Sequence, residues 1–298
     1  MIQKAQRVFK QLGPGLITGA ADDDPSGIAT YSQAGAQFGY SLGWTLVLTY
    51  PLMVGIQLIS ARMGRVTGHG LADNIRRHFP RPVLYAVVIM LLVANTINVA
   101  ADIAAMGEAM RLVVGGSPHI YAIMFGGVCM LLQVFLSYRQ YVYYLKWLTL
   151  TLLAYVGVIF AVRLPLQEVL VGLLWPNISF DGDMLTVIVA VFGTTISPYL
   201  FFWQAAQEAE EVRADPSANS LRVDPTGGRE HLRRIKTDTY IGMGFSNLIA
   251  LFIIISTAAT LHDVGSANRR SNILAMEDWE NLENAGVVKR QESNSTTR

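Results

Sequence analysis

Two short polar breaks interrupt long apolar stretches of this chain, and both are built from residues that could hold a cation. The first is Asp22-Asp23-Asp24-Pro25-Ser26-Gly27, inside residues 12–38. The second is Thr195-Ile196-Ser197-Pro198-Tyr199, inside residues 184–207. A proline removes a backbone donor and frees the carbonyl one turn back. Glycine loosens the chain beside it. Near residues 24–27 the backbone is therefore expected to unwind, leaving carbonyls and the Asp24 carboxylate to face a cation. Pro198 does the same for carbonyls near Thr194 and Thr195, with the Ser197 hydroxyl beside them. This is a hard, oxygen-rich ligand set, suited to Mg²⁺, Mn²⁺ or Ca²⁺ rather than to a soft metal. The plainer alternative for Asp22–Asp24 is a helix N-cap or a solvated loop between two short helices. The apolar flanks and the matching second break favour the functional reading, because a carboxylate inside a bilayer usually marks a substrate or ion path.

The elements that must position these residues are transmembrane helices. The chain has 298 residues, 52% hydrophobic and 15% charged, against about a quarter charged in soluble domains. A crossing needs about 20 mostly apolar residues. Seven candidates result: 12–38 and 184–207, both broken, and 42–62, 83–114, 119–137, 142–162 and 239–261. Gly126-Gly127 and Gly242/Gly244 suggest close helix packing. Segment 208–236, charged and carrying Gly227-Gly228, reads as a mobile cytoplasmic loop. Residues 262–298 read as a polar, disordered tail.

With the N-terminus inside, 16 of the 23 Lys and Arg residues fall on the cytoplasmic side, as the positive-inside rule requires. That orientation gives a multi-pass inner (plasma) membrane protein with a cytoplasmic N-terminus. The basic start (Lys4, Arg7, Lys10) reads as the flank of a retained first helix rather than a signal peptide. Cys129 is the only cysteine, so neither an internal disulfide nor a cysteine metal cluster is expected. Net charge is +1, which points to no nucleic-acid partner. No nucleotide or catalytic signature stands out, so neither an enzyme nor a cofactor is expected. His69, His78, His119, His231 and His262 lie outside the apolar cores.

Further polar residues lie within the spans. Asp102, one turn after Asn98, is placed to relay protons or guide an ion. Glu108 lies nearer the outer end and is expected to be solvated or paired with Arg111. Gln204 and Gln207 could line the path, although amides more often bond across helices. Glu208, Glu210 and Glu211 read as a solvated acidic face. Local bonding of Ser197 and Thr194 to backbone carbonyls is a plain alternative to a ligand role.

With these motifs in view, the sequence resembles the NRAMP family of divalent metal transporters. Gly13-Pro14-Gly15-Leu16 followed by Asp24-Pro25-Ser26-Gly27 resembles the family's first-helix motif, Asp-Pro-Gly-Asn. Gly193-Thr194-Thr195-Ile196-Ser197-Pro198-Tyr199 resembles its sixth-helix motif, where Met-Pro-His is usual, and Ala101-Asp102-Ile103-Ala104 resembles the third. The resemblance runs over about residues 10–261. It implies an all-α polytopic membrane protein with an inverted-repeat, leucine-transporter-like fold of the APC type and discontinuous helices one and six. The first five-helix repeat would span 1–163 and a partial second repeat 164–261, with residues from about Gly265 onward unrelated to the family and the second repeat incomplete. The implied function is secondary transport of divalent metal cations between the two broken helices, with protons as the candidate coupling ion.

The resemblance assigns the metal aspartate to Asp24 and the carbonyl ligand to Thr194. Gly27 stands at the family's asparagine ligand position, and Ser197 replaces a thioether with an oxygen. Tyr199 and Gln204 stand at two histidine positions. The pattern is similar to NRAMP-related magnesium transporters, with manganese and iron also open. The competing readings are a small-molecule carrier of the same fold and a non-transporting fragment.

Overall fold

The computed structural model describes Gly19 and residues 22–135, 149–162, 164–179, 181–214 and 219–262. Over these residues the chain is helical. The helices are α1 (Pro25–Phe38), α2 (Gly43–Thr67), α3 (Leu71–His78), α4 (Arg81–Val114), α5 (Pro118–Phe135), α6 (Leu153–Ala161), α7 (Leu166–Leu174), α8 (Gly182–Thr195), α9 (Pro198–Ala214) and α10 (Gly228–Thr257). Five stretches are long and apolar enough to cross a bilayer: Pro25–Thr67, Arg81–Val114, Pro118–Phe135, Gly182–Ala214 and Gly228–His262. Residues 12–21 of the expected first segment lie outside the described residues, apart from Gly19. So does the first part of 142–162, which is described from a 3₁₀ turn at Thr149–Leu152 onward. The proposed tail lies almost wholly outside them as well.

α10 is the hub of the bundle. It packs on α1, α2 and α6, while α2 also packs on α9 and α8 on α1. The largest core joins Tyr31, Leu42, Leu46, Val191, Ile249 and Ile253 from α1, the following turn, α2, α8 and α10. A second core joins Met53 and Leu58 of α2 to Ile235 and Met243 of α10. By contrast, α4 and α5 pack on each other and leave large apolar side chains exposed, Met90 at 72% and Val113 at 83% among them. In a bilayer such faces meet lipid tails at no cost. Of the glycines expected at helix contacts, Gly242 lies against Gly19 and Gly244 against the Tyr50 ring, whereas a Cβ added to Gly127 would point into open space.

The charged segment 208–236 is not the loop its composition suggests. α9 continues to Ala214 and α10 begins at Gly228. The reason is pairing across the two helices: Arg234 reaches Glu208 at 3.2 Å and Glu211 at 2.7 Å. Glu208 is only 1% exposed, so it does not form part of a solvated acidic face. The connection between the helices is itself anchored, since the Leu221 and Arg222 amides donate to the Arg65 and Val66 carbonyls at the end of α2.

Candidate metal site

The first break falls at Asp23–Asp24, slightly earlier than the expected unwinding over 24–27. Pro25 opens α1, where its missing N–H would have had no partner anyway. Asp24 is the N-cap, in extended conformation (φ −75°, ψ 166°), and its Oδ1 accepts from the Gly27 amide at 2.7 Å. The Asp24 carbonyl accepts from Ile28 at 2.9 Å. Ser26 and Gly27 are thus helical, because the cap satisfies donors that would otherwise be orphaned. The plainer N-cap reading of the triplet holds for Asp24, and it coexists with a wider role.

That role is visible in what else reaches the carboxylate. Ser26 Oγ lies 2.8 Å from Asp24 Oδ1 and 2.9 Å from Asn98 Oδ1, so its single proton serves one or the other acceptor. Asn98 Nδ2, from α4, donates to Asp24 Oδ2 at 2.9 Å. The Tyr199 hydroxyl, from α9, donates to the same oxygen at 3.0 Å. A carboxylate has about four lone-pair positions, and donors from three helices are ranged around all of them. One turn beyond Asn98, Asp102 Oδ1 accepts from the Ser26 amide at 2.9 Å, an otherwise free donor in the first turn of α1. Asp102 therefore joins the site through Ser26. Sequence reasoning passed over Ser26, although its place between the proline and the glycine of the break was the available signal.

The second break separates α8 from α9. α8 ends at Thr195, with the Ile196 amide returning to Phe192 at 3.0 Å. Pro198 opens α9. The Ser197 hydroxyl donates to the Thr194 carbonyl at 2.7 Å, with the Gly193 carbonyl at 3.2 Å as its alternative. Local backbone bonding is thus what Ser197 does here, while its oxygen lone pairs remain available. Thr195 bonds the Val191 carbonyl at 2.7 Å and meets the Tyr31 hydroxyl at 2.9 Å.

Gly27 brings the two breaks together. It is buried, and a Cβ there would lie 3.1 Å from Asp24 Oδ1 and 3.2 Å from Thr194 Oγ1. Its amide is turned toward Asp24, so its contribution is space rather than a ligand atom. Asp24, Gly27 and Thr194 therefore share one small region, with Asn98, Tyr199 and Asp102 around it. Gln204 lies apart, donating at 3.1 Å to Thr239 of α10 within a buried helix contact. Glu108 pairs with Arg111 at 2.6 Å, as one of its two sequence readings had it. Among the described residues, no three His, Cys, Asp or Glu side chains cluster as a metal site. A cation at the breaks would rest on one carboxylate and neutral oxygens.

The comparisons with known proteins bear on the family and the fold. The family model described as "Natural resistance-associated macrophage protein-like" matches residues 15–284, so the family pattern runs on past Leu261 and Gly265, where unrelated residues were expected. The chain is 28% identical over 264 residues to a divalent metal cation transporter MntH of Chromohalobacter salexigens, covering 85% of this chain and 57% of that protein. It is 30% identical over 271 residues to the MntH of Yersinia pestis, covering 86% and 60%. The chain thus spans less than two thirds of the length of these curated relatives. A crystal structure of the Eremococcus coleocola manganese transporter superposes with a TM-score of 0.70 at 20% identity, over 84% of this chain and 51% of that one. The likeness at that identity establishes the fold, and the family match over most of the chain establishes the lineage: this membrane protein belongs to the Nramp family.

Proposed function

We propose that the chain carries divalent metal cations across the inner membrane, with its N-terminus in the cytoplasm and the ion held between the break before α1 and the break between α8 and α9. The observation that carries this reading is the Asp24 carboxylate, half-buried at a proline break and fixed by donors from α1, α4 and α9. Asp24 is the charged ligand, the Thr194 carbonyl and the Ser197 oxygen are neutral ones, and Gly27 provides the space. Asn98 and Tyr199 hold the carboxylate in position. Asp102, tied in through Ser26, belongs to the ion or proton path, whereas Gln204, engaged with Thr239 of α10, lies off it.

An ion that coordinates Asp24 directly must displace one of these donors, whereas an ion that keeps its water donates from that water to nearby oxygen acceptors. Both favour hard, strongly hydrated cations of the Mg²⁺ and Mn²⁺ class. The names of the relatives, divalent metal cation transporter and manganese transporter, support the same class. A carrier of small organic anions fits less well, because a carboxylate at the break repels an anionic ligand.

The test is Mn²⁺ and Mg²⁺ flux into proteoliposomes containing the 298-residue chain, alongside its Asp24→Asn variant. Uptake by the parent that is lost in the variant is expected. Equal uptake by both would overturn the assignment.

A further inference from the structure

Asp22 and Asp23 precede the candidate ligand by two residues and one, yet neither joins the donors around it. Asp22 is 1% exposed and accepts from the Ser246 hydroxyl of α10 at 2.7 Å through Oδ2. Its Oδ1 has no hydrogen-bond partner among the described residues. Asp23 is 6% exposed, and neither of its carboxylate oxygens has a partner among them. The neighbouring Asp24 carboxylate adds further negative charge beside the pair. Neither carboxylate belongs to an ion pair among the described residues.

Two adjacent buried carboxylates with three bare oxygens and no cationic partner among the described residues are costly as anions. An isolated buried charge is among the costliest groups in a protein interior, and in practice it is neutralised or paired. The bare oxygens and the Ser246 lone pairs form an all-oxygen, doubly negative donor set, which matches a hard divalent cation in both charge and ligand type. We infer that Asp22, Asp23 and Ser246 form a second cation site, separate from the one at Asp24, holding a resident hard divalent ion between the first break and α10. The two halves of this site are 224 residues apart in sequence. They already approach closely one turn earlier, where a Cβ on Gly19 would fall 2.3 Å from the Gly242 carbonyl oxygen. An ion there clamps the broken segment to the helix at the centre of the bundle. This inference stands apart from the transport reading, since it needs no ion to move.

The test counts Mn²⁺ bound to the detergent-purified full chain by equilibrium dialysis, with each variant checked for helical circular dichroism and monodisperse elution. Two ions per chain are expected. Asp24→Asn should keep one, and the double variant Asp22→Asn/Asp23→Asn should keep the other. Ser246→Ala removes no charge and so is the variant least exposed to misfolding; it should weaken one ion by about tenfold and leave the second unchanged. A single ion in the parent that is lost in Asp24→Asn, or two ions surviving in the double variant, would overturn the second site, as would unchanged affinities in Ser246→Ala. Two ions surviving Asp24→Asn would instead count against the transport-site assignment, so the two failures are distinguishable.

Discussion

Asp24 and the pair Asp22–Asp23 are the same residue type in consecutive positions, but the fold treats them in opposite ways. Asp24 is surrounded by a backbone amide, a serine, an asparagine and a tyrosine. Asp22 and Asp23 share one serine hydroxyl between four carboxylate oxygens. The broken backbone accounts for the difference. Where the chain leaves helical geometry, Asp24 turns toward α4 and α9 while Asp22 turns toward α10. A satisfied carboxylate is pre-oriented and moderate in energy, while a bare buried one stays high in energy until something binds it. One strand of three residues thus presents a prepared ligand on one side and an unmet demand on the other.

The strongest way to break this comparison is to delete the prepared ligand. Asp24→Ala is expected to abolish metal binding at the break, with an affinity loss beyond about a hundredfold, while membrane insertion stays intact. Titration calorimetry with Mn²⁺ on the purified variant, beside a membrane-fraction blot, reads both. A variant that keeps the parent's full Mn²⁺ stoichiometry would show that Asp24 is only a helix cap.

The next largest effect should come from Asn98. It donates to Asp24 and accepts from Ser26, so it links α4 to both sides of the cap. Asn98→Leu keeps the volume but removes both bonds. Groups that orient a metal ligand commonly contribute 10–100-fold in affinity, and a loss in that range is expected by the same calorimetry. Ordinary affinity would mean that the donors around Asp24 are incidental.

These expectations also mark where sequence reasoning works and where it stops. Pro25, Pro198, Asp24 and Asp102 are conspicuous because each is expensive inside an apolar run, and the structure groups them as that expense suggests. The division of labour within Asp22–Asp24 is not legible, since three identical side chains on a broken backbone differ only in their tertiary neighbours. The extents of α9 and α10 are hidden for a related reason. Composition counts Glu208, Glu211 and Arg234 as solvated charges, while their mutual pairing lets the helices run on. Gly27 illustrates a third limit: its importance lies in the atom it lacks, which shows only once Thr194 lies across from it.

A smaller change sharpens the comparison by altering ligand softness instead of charge. Ser197→Met replaces an oxygen beside the Thr194 carbonyl with a thioether. Soft donors favour Cd²⁺ over hard ions, so competition titrations should show Cd²⁺ gaining about tenfold on Mg²⁺. A parent chain that already prefers Cd²⁺ strongly would contradict the hard-ion reading.

Tyr199→Phe should have the smallest effect, and its size carries the information. The tyrosine hydroxyl is one neutral donor to Asp24 Oδ2, at 3.0 Å, and Asn98 serves the same oxygen at 2.9 Å. Removing it leaves the carboxylate held by the remaining donors, so it stays unlike the bare Asp22–Asp23 pair. A single such bond contributes roughly 0.5–1.5 kcal/mol, which corresponds to a weakening of Mn²⁺ affinity by about fivefold. The phenylalanine keeps the ring and its packing, so the change isolates the hydroxyl. A loss near a hundredfold would mean that the hydroxyl oxygen is itself a metal ligand, and that the carboxylate at the break is held chiefly by α4 rather than by α4 and α9 together.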